Sequence, residues 1–125
     1  FHGYQPIGPT LSAFYDRADI FITASQSSEG FPRTIWEAMA HSLPVIATGV
    51  GSIPDFIGDA AVIIEPQSVS GIVDAINFLI SNPTKRQNFI NMGQELAKEN
   101  TLNRRSLEMI SEIDKHLETI RNNGK

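Results

Sequence analysis

The chain has 125 residues, the length of one domain, with 41% hydrophobic and 19% charged residues, as in an ordinary soluble globular protein. Its net charge of -4 gives no electrostatic attraction to nucleic acid or to an anionic membrane surface, so no nucleic-acid partner is expected. The absence of cysteine excludes disulfides and thiolate metal sites, and the three histidines are too scattered to suggest metal ligands.

The chain opens on Phe-His-Gly-Tyr, without an initiator Met, in what resembles the end of a strand. We therefore expect residues 1–125 to be one truncated domain of a longer polypeptide, with residues 101–125 forming its C-terminal helix. No apolar run approaches the roughly 20 residues that a membrane-spanning helix needs.

Short apolar runs alternate with amphipathic stretches along the chain, as strands alternate with helices in α/β domains. The apolar runs predict buried strands over residues 19–24, 44–48 and 61–64. The amphipathic stretches predict helices over residues 9–17, 32–41, 55–57, 68–81, 83–100 and 102–121.

This order predicts the fold class α/β, with a parallel sheet, right-handed crossovers and flanking helices. Three strands with this much helix resemble the second half of a Rossmann-like, doubly wound sheet. Ligands of such sheets bind beyond the carboxyl ends of the strands. The loop at 25–31 and the turn at 49–54 each follow a strand, so both are predicted to lie at that edge.

The clearest chemical pattern is Glu-Gly-Phe-Pro-Arg-Thr-Ile-Trp-Glu, residues 29–37. A helix is predicted to begin at Pro32 with Phe31 as its N-cap, and Phe offers no oxygen to the first amides. The amides left without a side-chain acceptor are then those of Arg33, Thr34 and Ile35. Together with the helix dipole they predict an anion site, for which a diphosphate is the natural occupant.

Two carboxylates flank this helix start, Glu29 on the loop and Glu37 within the helix. A carboxylate binds vicinal hydroxyls well because each oxygen accepts one O–H group. One acid for a sugar, one for a ribose and a phosphate between them indicate a sugar nucleotide. The alternative is that Glu37 is a solvated helix residue and that Glu29 only complements the helix dipole.

A weaker pattern, Gly-Val-Gly-Ser at residues 49–52, follows the second strand. Its glycines could let the backbone approach a ligand, or they could simply form the turn. The spacing does not choose between the two interpretations.

Four runs together carry a family resemblance. They are Asp-Ile-Phe-Ile-Thr-Ala-Ser (19–25), Ser-Glu-Gly-Phe-Pro (28–32), Trp-Glu-Ala-Met-Ala-His-Ser-Leu-Pro-Val-Ile-Ala-Thr (36–48) and Gly-Ser-Ile-Pro-Asp (51–55). In this combination the chain resembles, over about residues 1–100, the C-terminal domain of retaining GT-B glycosyltransferases. More narrowly, it is similar to glycosyltransferase family 4, also called group 1.

The resemblance implies a nucleotide-diphosphate sugar as donor substrate, with no other cofactor and no catalytic metal. By position, Glu29 is the candidate catalytic residue and contacts the donor sugar, while Glu37 binds the ribose. The donor-binding set is Glu29, Gly30, Phe31, Arg33, Thr34, Ile35 and Glu37. The resemblance favours front-face transfer assisted by the leaving phosphate, with retention of configuration, over nucleophilic attack by Glu29.

Departures from the family pattern are Pro32, where the family has Pro or Gly, Ser42, where Gly is common, and Ser52, where a second Gly is common. Pro32 offers no amide, so phosphate contacts can differ from those of members with Gly. The family's phosphate-binding Arg and Lys, and its acceptor domain, would lie upstream of Phe1. We therefore expect residues 1–125 alone to be inactive.

The function predicted for the intact protein is sugar transfer in polysaccharide biosynthesis, to a glycan or lipid acceptor held by the upstream domain. It is expected in the cytoplasm, with a peripheral position at the inner membrane face. The alternative is a non-catalytic nucleotide-sugar-binding or protein-interaction module. A glycoside hydrolase is disfavoured because its two acids face each other across a sugar bond, whereas this pair flanks a phosphate site.

The last predicted helix carries an apolar stripe of Leu107, Ile110, Ile113, Leu117 and Ile120. Two hypotheses stay open for this stripe. It packs against its own domain, or it remains exposed and drives formation of a homodimer.

Overall fold

The computed structural model describes residues 2–28, 30 and 32–123. Its three strands are Phe21–Thr23 (β1), Val45–Thr48 (β2) and Val62–Ile64 (β3). They form one parallel sheet in the order β1-β2-β3. The predicted Rossmann-like arrangement of parallel strands and flanking helices is confirmed.

The helices follow the predicted order. They are Pro9–Asp16 (α1), Arg33–Ala40 (α2), Ile53–Ile57 (α3), Val69–Ser81 (α4), Pro83–Glu99 (α5) and Leu102–Asn123 (α6). A short 3₁₀ turn, Gly58–Ala60, follows α3. Three predicted helix starts were misplaced. Helix α4 begins at Val69, one residue later than predicted, because Ser68 is its N-cap. Helix α2 begins at Arg33 because Pro32 has an extended ψ of 116° and acts as the N-cap in place of Phe31. Helix α3 begins at Ile53 because Pro54 is tolerated in the first turn of a helix.

The sheet carries a core on each face, because successive side chains of β2 alternate between them. Val45 and Ala47 pack with α2 and α3, while Ile46 packs with α4. All four residues of β2 are buried, as predicted for a central parallel strand. The outer strands are less buried than predicted, since Ile22 of β1 and Ile63 of β3 are each 38% exposed.

Helix α5 supports α2 from behind at a point of close approach. Gly93 of α5 lies against Met39 of α2, and a Cβ added at Gly93 would meet Met39 Cγ at 3.0 Å. The absence of a side chain at Gly93 therefore lets the two helices pack closely. Met39 itself is buried, together with Ile35 and Ala38 of the same helix.

Helix α6 differs from the rest of the fold, because its predicted apolar stripe is not covered. Leu107, Ile110, Ile113, Leu117 and Ile120 are between 51% and 60% exposed. The hypothesis that the stripe packs against its own domain is therefore wrong for the described chain. No helix among the described residues combines the length and apolar character that a membrane span requires.

Candidate donor-binding site

The candidate site lies where the β1–α2 loop turns into helix α2. Glu29 and Phe31 lie outside the described residues, so their predicted roles stay predictions. Gly30 is described, and the space around its Cα is open, with no atom within 4 Å of an added Cβ. Since β1 precedes this loop, the loop lies at the carboxyl edge of the sheet.

The start of α2 keeps the main feature that the sequence predicts for an anion site. No side chain caps the helix at its N-cap, Pro32. Arg33 and Thr34 are both exposed in the first turn. Ile35 is buried in the core, and its amide donates to the carbonyl of Pro32 at 3.0 Å. The first-turn positions that face solvent are therefore those of Arg33 and Thr34.

Glu37 lies one helical turn beyond Arg33, and both of its carboxylate oxygens accept hydrogen bonds. Arg33 Nε donates to Oε1 at 2.9 Å, and Tyr15 Oη donates to Oε2 at 2.9 Å. The Glu37 side chain is only 25% exposed. The interpretation of Glu37 as an ordinary solvated helix residue therefore does not describe its surroundings. A carboxylate has about four acceptor positions, so two remain for a pair of hydroxyl groups.

Tyr15 contacts Glu37 from α1, and residues beside it hold its ring. The ring stacks on His41 with 5.2 Å between centroids and 16° between planes. His41 in turn lies 2.7 Å from a carboxylate oxygen of Asp16, Nδ1 to Oδ1. Burial, the hydrogen bond to Glu37 and the negative charge of Glu37 raise the pKa of Tyr15 to about 12. The hydroxyl is therefore a protonated donor throughout the neutral range.

The contact of Tyr15 with Glu37 was not predicted from the sequence. The two residues are 22 positions apart, and no spacing rule joins them. The available signal was chemical, since a buried tyrosine hydroxyl needs a partner. His41 is the C-cap of α2, where it also reaches Asp16.

Two hydroxyl groups tie the β1–α2 loop to the neighbouring β2–α3 turn. Thr48 Oγ1 donates to the carbonyl of Ser25 at 2.8 Å, and Ser52 Oγ donates to the carbonyl of Gly30 at 2.6 Å. Ser52 occupies the N-cap position of α3, yet its side chain does not cap that helix. Its hydroxyl bonds to the loop that carries Gly30 instead, which links the two loops at the sheet edge.

The turn at residues 49–52 is explained by its own geometry. Gly51 has a φ of 57°, a conformation that favours glycine. Gly49 lies against Ile63, whose Cγ2 would be 3.1 Å from an added Cβ. These observations support the interpretation that the glycines form the turn and pack it against β3.

A cavity of about 460 Å³ opens at the carboxyl ends of the strands, next to the start of α4. Thr48, Ile64 and Glu65 contribute to its wall. None of the described residues of the predicted donor-binding set lines it. Within the described residues, no cluster of three or more His, Asp or Glu side chains could hold a metal ion.

Comparison with known proteins agrees with this fold. A glycosyltransferase from Rickettsia africae superposes with a TM-score of 0.70 at 29% identity, over 82% of this chain and 29% of that chain. The C-terminal domain of a group 1 glycosyl transferase, LpcC from Francisella tularensis, gives 0.69 at 32%, over 80% and 52%. The architecture is thus that of the C-terminal domain of GT-B glycosyltransferases.

The family model "Glycosyl transferases group 1" matches residues 1–96, and the chain belongs to this family. Among curated proteins, O-antigen chain mannosyltransferase B of Escherichia coli is 37% identical over 70 residues, which are 56% of this chain and 18% of that protein. The chain spans between 15% and 25% of the length of the five curated relatives it matches. The family match ends within α5, so α6 lies beyond it.

Proposed function

We propose that residues 1–125 form the donor-binding part of a retaining glycosyltransferase that transfers a sugar from a nucleotide-diphosphate sugar to an acceptor. The observation that carries the proposal is the start of α2, where the N-cap residue Pro32 makes no side-chain capping bond, followed one turn later by the carboxylate of Glu37. A diphosphate at the helix start and a ribose at Glu37 would be neighbours along one ligand.

The helix start would hold the diphosphate through the amides of Arg33 and Thr34 and through the positive end of the helix dipole. The Arg33 guanidinium, now paired with Glu37, is exposed enough to turn toward a phosphate. These fixed dipoles would stabilise the charge that develops on the departing diphosphate, which is the main catalytic contribution we assign to this chain.

The role of Glu29 belongs to the same proposal. It precedes α2 by four positions and would contact hydroxyl groups of the donor sugar, with Gly30 and Phe31 beside it. Transfer would proceed on the front face of the sugar, assisted by the leaving phosphate, without a catalytic metal or a further cofactor. Retention of the anomeric configuration follows from that geometry.

We further propose a glycan or lipid-linked acceptor, bound by a part of the protein outside residues 1–125. The relative from Escherichia coli is named for its action on an O-antigen chain. Such an acceptor would bring the intact protein to the inner face of the cytoplasmic membrane. Residues 1–125 alone should then bind donor weakly and transfer no sugar.

The test is transfer and donor binding by the full-length polypeptide that carries this chain, with a panel of nucleotide sugars. Glu37→Ala and Glu29→Gln should each lower transfer by orders of magnitude. Glu95→Ala, at an exposed Glu paired with Lys98 on α5, is the matched control and should leave transfer unchanged.

Several outcomes separate the alternatives. Near-normal transfer by both variants would refute the proposed site. Donor binding by the wild-type protein without turnover would show a non-catalytic binding module. NMR of the product's anomeric proton reports whether configuration is retained, and inversion would refute the proposed mechanism while leaving the donor site intact.

A further inference from the structure

The contact between Tyr15 and Glu37 is the best-built part of the site. Tyr15 is the buried residue of α1, with 9% of its surface exposed. A tyrosine hydroxyl in such a position needs an acceptor, and Glu37 Oε2 supplies one at 2.9 Å. The acceptor is a carboxylate, so the bond is charge-assisted and stronger than a neutral one.

The ring that carries this hydroxyl has little room to move. His41 stacks on it, and Phe21 of β1 lies beside it with 6.1 Å between ring centroids. The Asp16 carboxylate bonds to His41 and thereby fixes the stacking partner. The position of the Tyr15 hydroxyl is therefore determined by helix α1, strand β1 and the end of α2 together.

The two side chains that donate hydrogen bonds to Glu37 differ in how easily they can move away from it. Arg33 is 68% exposed along its side chain, and an ion pair at the surface of a helix contributes little to stability. A phosphate could draw Arg33 away at little cost. The Tyr15 hydroxyl cannot move away from Glu37 without disrupting the packing of its ring. It is therefore the more stable of the two contacts of the Glu37 carboxylate.

We propose that Tyr15 is a positioning residue, which holds Oε2 of Glu37 from the core side so that the carboxylate's remaining acceptor positions face the ribose of a nucleotide sugar. This inference rests on the proposed function. Tyr15 touches neither the donor nor the reacting atoms, and it acts through Glu37 alone. The raised pKa of Tyr15 keeps the hydroxyl a donor at any working pH.

The experiment is Tyr15→Phe in the full-length polypeptide, which removes the hydroxyl and keeps the ring. Loss of a hydrogen bond to a charged group should weaken donor binding about tenfold, seen as a higher KM for the nucleotide sugar with kcat changed much less. Tyr4→Phe is the matched control, because Tyr4, the other tyrosine of the chain, is 89% exposed. It should leave both constants unchanged.

A double variant distinguishes positioning from a general structural role. If Tyr15 acts only through Glu37, then Tyr15→Phe added to Glu37→Ala should weaken donor binding no further than Glu37→Ala alone. Additive losses would overturn the proposal, since they would mean that Tyr15 acts through the fold. Unchanged donor affinity in Tyr15→Phe would overturn it as well.

A ligand-independent measurement tests the burial of the Tyr15 hydroxyl and its contact with Glu37, which together raise its pKa. The folded-state pKa of Tyr15 is raised from 10.0 to about 12, so its stabilising contribution is complete below pH 10 and is lost as pH rises toward 12. The charged and titratable groups around the hydroxyl are Glu37, Arg33, His41 and Asp16.

Unfolding midpoints of the wild type should therefore fall between pH 10 and 12 by more than those of Tyr15→Phe. Equal falls would show that the contact is absent and would overturn the proposal. If this difference appears but the wild type binds no nucleotide sugar, the proposed function fails while the buried position of the Tyr15 hydroxyl stands. In that case the proposed role of Tyr15 in donor binding would be refuted together with the proposed function.

Discussion

Helices α2 and α6 carry the same kind of amphipathic pattern and meet different surroundings. In α2 the apolar residues Ile35, Ala38 and Met39 are buried against the sheet and α5. In α6 the corresponding residues, such as Ile113 and Leu117, are more than half exposed. An apolar stripe therefore predicts that a helix needs a partner, and it does not predict that the partner lies in the same chain.

The difference also has a functional side. Because its apolar face is anchored, α2 can present the Glu37 carboxylate in a fixed geometry. In the part of α6 whose side chains are described, the apolar stripe is not buried in this way, and Arg105 with Glu108 and Lys115 with Glu112 form contacts within the helix. Substitutions in the two helices should consequently have very different effects on the free energy of unfolding.

The largest effect is expected for Ile35→Ala in α2. Ile35 is fully buried, and truncation of a buried Ile to Ala costs about 2–5 kcal/mol through lost transfer energy and a residual cavity. Denaturant unfolding measures this loss directly. The matched change on the other helix is Ile113→Ala, which should alter the unfolding of the monomer, measured at a concentration below that of self-association, by no more than about 0.5 kcal/mol because Ile113 is exposed. Equal losses would contradict the comparison.

A smaller loss is expected where α5 meets α2. Gly93→Val places a branched side chain against Met39, and overpacking of this kind costs about 1–3 kcal/mol. Gly93→Ala is the control. Its single methyl meets the flexible Met39 side chain, and its better helix propensity offsets the crowding. Thermal unfolding of both variants should rank Val well below Ala, and the opposite order would show that α5 does not press on α2 as described.

A modest gain is expected at the end of α2. Ser42 follows the helix with a φ of 62°, and glycine adopts this conformation without strain. The Ser42 hydroxyl also accepts a hydrogen bond from Gln94 at 2.7 Å, at an exposed site. Ser42→Gly should therefore stabilise by about 0.5 kcal/mol net, while Ser42→Ala keeps the strain and should destabilise slightly. A loss in both variants would mean that the bond to Gln94 outweighs the strain.

The fold was predictable from the sequence because each strand and helix is marked by residues within it or next to it. Short apolar runs gave β1, β2 and β3, and Pro9 and Pro83 marked the first positions of α1 and α5. The parallel order then followed from the alternation of strands with helices. The exact start of α2 was missed because a Pro fits both the N-cap and the first helical position, and only its ψ separates them.

The sequence predicted only the part of the candidate site that lies within one continuous run of residues. The run from Glu29 to Glu37 is contiguous, so its chemistry is visible in the sequence. The partners that shape it come from elsewhere in the chain. Tyr15 reaches Glu37 from α1, and Ser52 reaches Gly30 from the next turn. Both contacts depend on how the elements pack, which hydrophobic periodicity does not specify.

The smallest effect on the folded domain, and the most direct test of the comparison, is expected from Ile113→Glu combined with Leu117→Glu in α6. Both side chains are exposed, so unfolding of the monomer should change by no more than about 0.5 kcal/mol for each.

Self-association should change far more. Helix α6 carries four basic residues and four acidic ones (Arg104, Arg105, Lys115 and Arg121; Glu108, Glu112, Asp114 and Glu118), so two copies meet without net repulsion. We expect the wild-type chain to form a homodimer through the stripe in sedimentation experiments, and the double variant to be monomeric. If the wild-type chain stays strictly monomeric, then the partner of the α6 stripe is something other than a second copy of this chain.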